Sequence, residues 1–149
     1  MKNVLLLGAT GSIGKSVLSV ISQNKDKFNL FGISFNKDIA RAKEIITKFS
    51  PTYVYIDDAS CFSSQSNHKG CTYISGDSDL VELIRKDDID IIICATSGFA
   101  GLKATHIAAS TGKKILLANK ESIVAGGDLI LPLAKDHDSQ IVPIDSEHN

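Results

Sequence analysis

Three short stretches of the sequence bring together residue types that suit chemistry. The first is Gly8-Ala9-Thr10-Gly11-Ser12-Ile13-Gly14, a G-x-x-G-x-x-G run that follows the apolar stretch Val4 to Leu7. The second is Asn119-Lys120-Glu121-Ser122, and the third is Pro143-Ile144-Asp145-Ser146-Glu147-His148-Asn149. A phosphate group needs backbone N–H donors at close range, and glycine permits the tight turn and close approach because it has no Cβ. Placed between a strand and a helix, such a run aims amides and the positive end of a helix dipole at an anion. Gly14 would let the helix pack close to the sheet, and Thr10 and Ser12 add hydroxyl donors. The same spacing also fits a glycine-rich β-to-α turn that holds nothing.

The two later stretches offer side chains rather than backbone. Asn119 to Ser122 follows an apolar run at the place where open α/β sheets bind ligands, outside the carboxyl ends of the strands; it also reads as a polar loop with a helix cap. In an extended segment Asp145 and Glu147 share one face, because strand side chains alternate. Two carboxylates meeting there repel unless a cation or proton lies between them, and hard oxygen ligands suit Mg²⁺ or Mn²⁺. The same acidic end fits a frayed terminus, and His148 fits a hydrogen-bonded histidine better than a ligand.

Strand and helix signals alternate along the whole chain and would position these stretches. Short apolar runs at Val4–Leu7, Phe28–Phe35, Tyr53–Ile56, Ile89–Ala95, Lys114–Ala118 and Gln140–Pro143 read as strands, with a short one near Tyr73–Ser75. Helical spacing marks 12–24, 39–49, a segment capped by Asp77 or Ser78, and 99–110. A further helix is expected over 127–136, where Pro132 would have to lie in the first turn. Asp57 to Gly70 is polar and takes no clear element. The pattern implies a Rossmann-like, doubly wound α/β fold: a mainly parallel sheet with helices on both faces, in one domain over residues 1–149.

An NAD-binding domain of this kind usually has an acid at the tip of its second strand. Here the tip reads Ser34-Phe35-Asn36-Lys37-Asp38. Lys37 could meet a 2′-phosphate, with Arg41 one helical turn on, which favours NADPH. Asp38 is the opposing signal, as a ribose acceptor or a helix cap, and Lys37 also reads as a solvated surface lysine.

Composition excludes several classes. With 149 residues, 43% hydrophobic, 22% charged and a net charge of −1, nothing in bulk charge recruits nucleic acid or a membrane surface. Cys61, Cys71 and Cys94 make no disulfide framework, and Cys61 and Cys71 around His68 form no zinc knuckle. A soluble, cytoplasmic protein without a leader is expected.

Taken together, the strings GATGSIG (8–14), LLANKES (116–122) and PIDSEHN (143–149) resemble the 1-deoxy-D-xylulose 5-phosphate reductoisomerase family, along essentially the whole chain. The resemblance implies the family's N-terminal NADPH-binding domain, with its catalytic and C-terminal helical domains absent. It implies a metal-dependent conversion of that sugar phosphate to 2-C-methyl-D-erythritol 4-phosphate in isoprenoid biosynthesis, by a homodimer when full-length. It puts Thr10, Gly11, Ser12 and Ile13 on the cofactor phosphates, Lys37 near the 2′-phosphate, and Asn119 and Glu121 near the cofactor. Lys120 becomes the catalytic, substrate-contacting lysine and Ser146 a substrate donor. Asp145 and Glu147 become ligands of Mg²⁺ or Mn²⁺, Glu147 also touching substrate. The family commonly has Gly-Lys-Asn where this chain has Asn36-Lys37-Asp38, and its further acidic metal ligand lies beyond Asn149. These 149 residues are therefore expected to bind NADPH weakly without turnover. A nucleotide-sensing module and the cofactor domain of another NADP-dependent dehydrogenase remain alternatives.

Overall fold

Runs of Val, Leu and Ile too short for a helix and apolar on both sides can be satisfied only by strands covered on both faces. The computed structural model describes residues 1–57, 70–118 and 120–144, with residue 120 described through its backbone. Among them the chain alternates β1 (Lys2–Leu7), α1 (Ser12–Gln23), β2 (Phe28–Phe35), α2 (Ile39–Phe49), β3 (Tyr53–Ile56), β4 (Thr72–Ile74), α3 (Asp77–Ile84), β5 (Ile91–Cys94), α4 (Gly98–Ala109), β6 (Lys114–Leu117), α5 (Lys120–Asp136) and β7 (Gln140–Pro143). The polar segment with Cys61 and His68 lies outside the described residues, as do Asn119 and 145–149.

The strands form one sheet in the order β4-β3-β2-β1-β5-β6-β7, and every neighbouring pair is parallel. The winding reverses between β1 and β5: three strands run outward on one side and two on the other. Alternation along β1 divides the core. Val4 and Leu6 pack with Leu18 and Ile21 of α1 and with Ala42, Ile45 and Ile46 of α2. Leu5 and Leu7 face Leu80, Leu83 and Ile84 of α3 and Ala104 and Ala108 of α4. Leu5 and Leu6 are fully buried, and each such side chain contributes about 1.5–3 kcal/mol. Helices α4 and α5 share a smaller cluster of Ala109, Ile130 and Ala134. This is the doubly wound architecture the sequence implies, with every strand pair parallel.

Two expectations need correction. Neither Asp77 nor Ser78 caps α3: Gly76 occupies the cap position at φ 91°. Asp77 and Asp79 stand instead in the first turn, where carboxylates complement the helix dipole, and the Asp79 carboxylate also accepts the Ser75 amide at 3.3 Å. Helix α5 begins at Lys120 rather than near 127. Gly126-Gly127 reads as a break, but a Cβ on Gly126 would lie 2.6 Å from Leu102 Cδ1 of α4. The glycine therefore marks a close helix–helix contact. Pro132 consequently stands inside the helix, where it removes the bond to the Asp128 carbonyl. Both residues are exposed, so solvent can take over that carbonyl. No helix among the described residues is long and apolar enough to cross a membrane.

Replacing Pro132 by alanine restores a backbone donor at an exposed helical position. P132A is expected to raise the unfolding free energy by roughly 1–3 kcal/mol, read as a higher midpoint in urea. An unchanged or lower midpoint would show that packing of α5 on α4 requires the proline bend.

Candidate functional site

The glycine-rich turn is held at both ends by backbone that has no room for a side chain. Gly8 leaves β1 at φ +88°, and a Cβ on it would come within 2.8 Å of the Ala95 carbonyl and the Thr96 nitrogen. Its amide donates to the Ser34 hydroxyl at 2.9 Å, and the Ala9 amide donates to the Ser34 carbonyl at 2.9 Å. The turn is thus pinned between the tip of β2 and the exit from β5. A Cβ on Gly14 would meet Ala9 O at 2.3 Å and Gly8 O at 2.7 Å. The close approach expected between helix and sheet is therefore one between helix and the turn itself. Gly11 differs from both. Its φ is −82°, and the nearest atom to a Cβ there is Gly8 O at 3.8 Å. Among the described residues nothing demands glycine at position 11.

Helix α1 starts immediately beyond, with Gly11 at its cap position. The Lys15 amide makes an early helical bond, to Gly11 O at 3.0 Å. The amides of Ser12, Ile13 and Gly14 precede it and have no acceptor within the helix. No side chain caps α1, and no acidic residue stands in its first turn. The other helices are treated differently. Asp38 accepts the Arg41 amide at 3.1 Å to cap α2, Asp77 and Asp79 open α3, and Glu121 stands in the first turn of α5. The Glu121 carboxylate also accepts the Gly98 amide, at the start of α4, at 2.9 Å. A helix N-terminus of this kind suits an anion.

A cleft of about 250 Å³ opens over this turn. It lies at the carboxyl ends of β1, β2, β3 and β5, across the point where the winding reverses, the usual ligand position in such sheets. Thr10 and Gly11 form one wall, Ser34 and Asn36 the tip of β2, and Ser97, Ala100 and Ala104 the wall made by α4. Leu7, Phe35, Tyr55 and Leu80 supply apolar surface, and Asp57 and Thr96 supply polar groups. Burial, and then the charges of Asp57 and Asp77, push the Tyr55 phenol above its usual range. It is accordingly a neutral group at physiological pH.

The residues singled out in the sequence are distributed unevenly around this cleft. Thr10 and Gly11 line it, while Ser12 is exposed and Ile13 half-buried in the first turn of α1. Lys37 is exposed, one residue beyond Asn36. Asp38 is a helix cap, and Arg41 pairs with Glu44 at 3.1 Å. Lys120 opens α5, so Lys120, Glu121 and Ser122 form a helical first turn rather than a loop. Asn119, Asp145, Ser146, Glu147 and His148 lie outside the described residues. Among the described residues no group of three His, Cys, Asp or Glu could hold a metal ion.

Other residues belong to the cleft or its support with little mark in the sequence. Ser34 anchors the turn from the position where NAD-binding domains usually keep an acid, and Asp57, Thr96 and Ser97 line the cleft. The strand-then-Thr-Ser-Gly pattern at 96–98 was the available clue for the last two. Cys94 is buried in the apolar strand β5, and burial raises its pKa to about 11 despite a hydrogen bond with Thr105. It is a packed thiol and not a nucleophile.

Comparison with known proteins fits this geometry. The family model of 1-deoxy-D-xylulose 5-phosphate reductoisomerase matches residues 4–127. The chain is 38% identical over 151 residues to the 1-deoxy-D-xylulose 5-phosphate reductoisomerase of Ruthia magnifica subsp. Calyptogena magnifica, covering 100% of this chain and 39% of that protein. It is 40% identical over 149 residues to the corresponding protein of Leptospira interrogans serogroup Icterohaemorrhagiae serovar Lai, covering 99% and 38%. A solved DOX-P reductoisomerase in complex with NADPH, fosmidomycin and magnesium superposes with a TM-score of 0.90 at 35% identity, over 99% of this chain and 37% of that one. The enzyme from Zymomonas mobilis in complex with NADPH gives 0.90 at 33% identity, over 99% and 39%. A homoserine dehydrogenase from Thiobacillus denitrificans gives 0.64 at 17% identity, over 95% and 28%, a likeness of fold alone. The chain spans less than two fifths of the length of the reductoisomerases it matches.

The contrast among the glycines can be measured. G14A is expected to lose roughly 1–3 kcal/mol of stability, because backbone must move to admit the methyl group. G11A should change stability by no more than about 0.5 kcal/mol yet weaken binding of a dinucleotide diphosphate by on the order of tenfold. Denaturant midpoints and a fluorescence titration separate the two effects; equal behaviour of both variants in either assay would contradict the assignment.

Proposed function

The chain belongs to the 1-deoxy-D-xylulose 5-phosphate reductoisomerase family, and from that premise we propose that residues 1–149 act as the NADPH-binding domain of such an enzyme. The observation that carries the reading is the turn from Gly8 to Gly14. Gly8 and Gly14 leave no space for a side chain, Gly11 stands open, and the helix behind the turn presents amides with no capping carboxylate. A diphosphate supplies the missing acceptors there. The cleft alongside fits the adenosine part of a dinucleotide, with apolar surface from Leu7, Phe35 and Leu80 and polar groups at its rim.

In this reading Thr10, Gly11, Ser12 and Ile13 bind the cofactor phosphates. Lys37 meets the 2′-phosphate through a charge-assisted hydrogen bond. One oxygen of Asp38 is engaged in capping α2, which supports its reading as a helix cap over a ribose acceptor and so favours NADPH over NADH. Asn119 and Glu121 contribute near the cofactor. Bound here, reduced nicotinamide supplies a hydride to a carbonyl carbon. The protein's task is to hold the ring at a fixed distance from the substrate and to exclude water. Lys120 and Ser146 hold the sugar phosphate, 1-deoxy-D-xylulose 5-phosphate, as it becomes 2-C-methyl-D-erythritol 4-phosphate. Asp145 and Glu147 are the carboxylates for Mg²⁺ or Mn²⁺, and a cation held there supplies Lewis acidity to substrate oxygens. The wider enzyme is a cytoplasmic homodimer in this reading.

The test is a titration with both reduced cofactors. NADPH should bind saturably and more tightly than NADH. K37A should weaken NADPH by about three- to tenfold, the range expected for a charged hydrogen bond at an exposed site, and leave NADH almost unchanged. Equal affinity for the two cofactors, or equal losses in K37A, would remove Lys37 from the 2′-phosphate.

A further inference from the structure

The first turn of α5 is attached to α4 at two adjacent residues. The Glu121 carboxylate accepts the Gly98 amide at 2.9 Å. The next residue, Ser122, is fully buried, and its hydroxyl lies 3.5 Å from that of Thr105, also fully buried, on α4. Thr105 in turn donates to the Gly101 carbonyl at 2.8 Å. On its other side α4 is tied to α3 by the pair between Lys103 and Asp77. That pair is substantially exposed and contributes little, so the contacts with α5 dominate.

The Gly98 bond matters because of where α4 begins. Gly98 has φ +71°, and the chain turns sharply there from Thr96 and Ser97, which line the cleft, into the helix whose Ala100 and Ala104 form its wall. Helix α4 has no acid in its own first turn and no side-chain cap from Ser97. The carboxylate that answers its dipole comes from a different element, next to Lys120.

We propose that Glu121 is a positioning residue that fixes the N-terminus of α4, and with it one wall of the cleft, through its hydrogen bond to Gly98. In addition to its place near the cofactor, Glu121 acts on a dinucleotide through α4. The idea rests on the dinucleotide reading only for that last step; the effect on α4 itself requires no ligand. The bond also joins the cofactor cleft to the β6–α5 junction, so a shift in one moves the other.

The experiment compares E121A and E121Q with the parent chain by two readouts. The first is hydrogen exchange at the Gly98 amide without ligand, and the second is the dissociation constant for NADPH. Glutamine keeps a carbonyl acceptor and alanine does not. E121A should exchange faster at Gly98 by on the order of fivefold, the scale of a lost helix cap, and bind NADPH more weakly. E121Q should restore most of the protection and most of the affinity. Accelerated exchange in E121A with restoration in E121Q supports the proposal for α4 even if the parent chain binds no NADPH, in which case the dinucleotide reading alone fails. Unchanged Gly98 exchange in E121A overturns the proposal. If it comes with weakened NADPH, Glu121 touches the cofactor directly. Should E121A prove poorly folded, a failure of E121Q to protect Gly98 overturns it as well.

Discussion

Everything at the carboxyl edge of this sheet depends on a helix whose N-terminus has no side-chain cap and no acid in its first turn. An uncapped helix N-terminus is costly when it is buried and useful when it faces a cleft. The chain keeps it facing the cleft with two glycines that no other residue can replace without moving backbone. Gly8 turns the chain at φ +88° against Ala95 and Thr96, and Gly14 lets α1 press on the carbonyls of Gly8 and Ala9. Ser34 ties this arrangement to β2 through both its hydroxyl and its carbonyl. The turn is therefore held by three strands at once.

The second half of the sheet uses the same physics with the opposite result. Helix α4 also starts at the carboxyl edge beside the cleft, but there a carboxylate of the protein itself, Glu121, meets the dipole. One helix thus starts without a side-chain cap or an acid, and the other is attached internally through Glu121. The division fits a dinucleotide, whose diphosphate is needed at one point while the rest of the molecule lies along a wall of defined position. It also gives the junction of β6 and α5 a structural duty in addition to whatever its polar side chains bind.

Much of the fold was legible because its strands are pure apolar runs and its early helices follow an unambiguous period. Phe28–Phe35, Ile39–Phe49 and Tyr53–Ile56 emerge with the limits their sequences imply. The start of α5 was not legible, since local signals at Gly126-Gly127 and Pro132 are those of a break. Only the packing of Leu102 against Gly126 shows why a helix passes through them. The glycine turn could be found from spacing, but the reasons for its glycines could not. Gly14 serves the turn rather than the sheet, and that contact involves carbonyls invisible to any residue pattern. Ser34 was overlooked for a related reason: a single hydroxyl at a strand tip becomes meaningful only when the amides of Gly8 and Ala9 are seen to converge on it.

The central claim is that the amides at the start of α1 are the ones that receive the diphosphate. Amide chemical-shift mapping of the labelled chain during addition of NADPH tests it most directly. The account predicts that the largest saturable shifts fall on residues 10 to 13, with smaller ones along Asn36, Thr96 and Ser97. Saturable shifts that leave residues 10 to 13 unmoved, or no saturable shifts from a folded chain at millimolar cofactor, would contradict it.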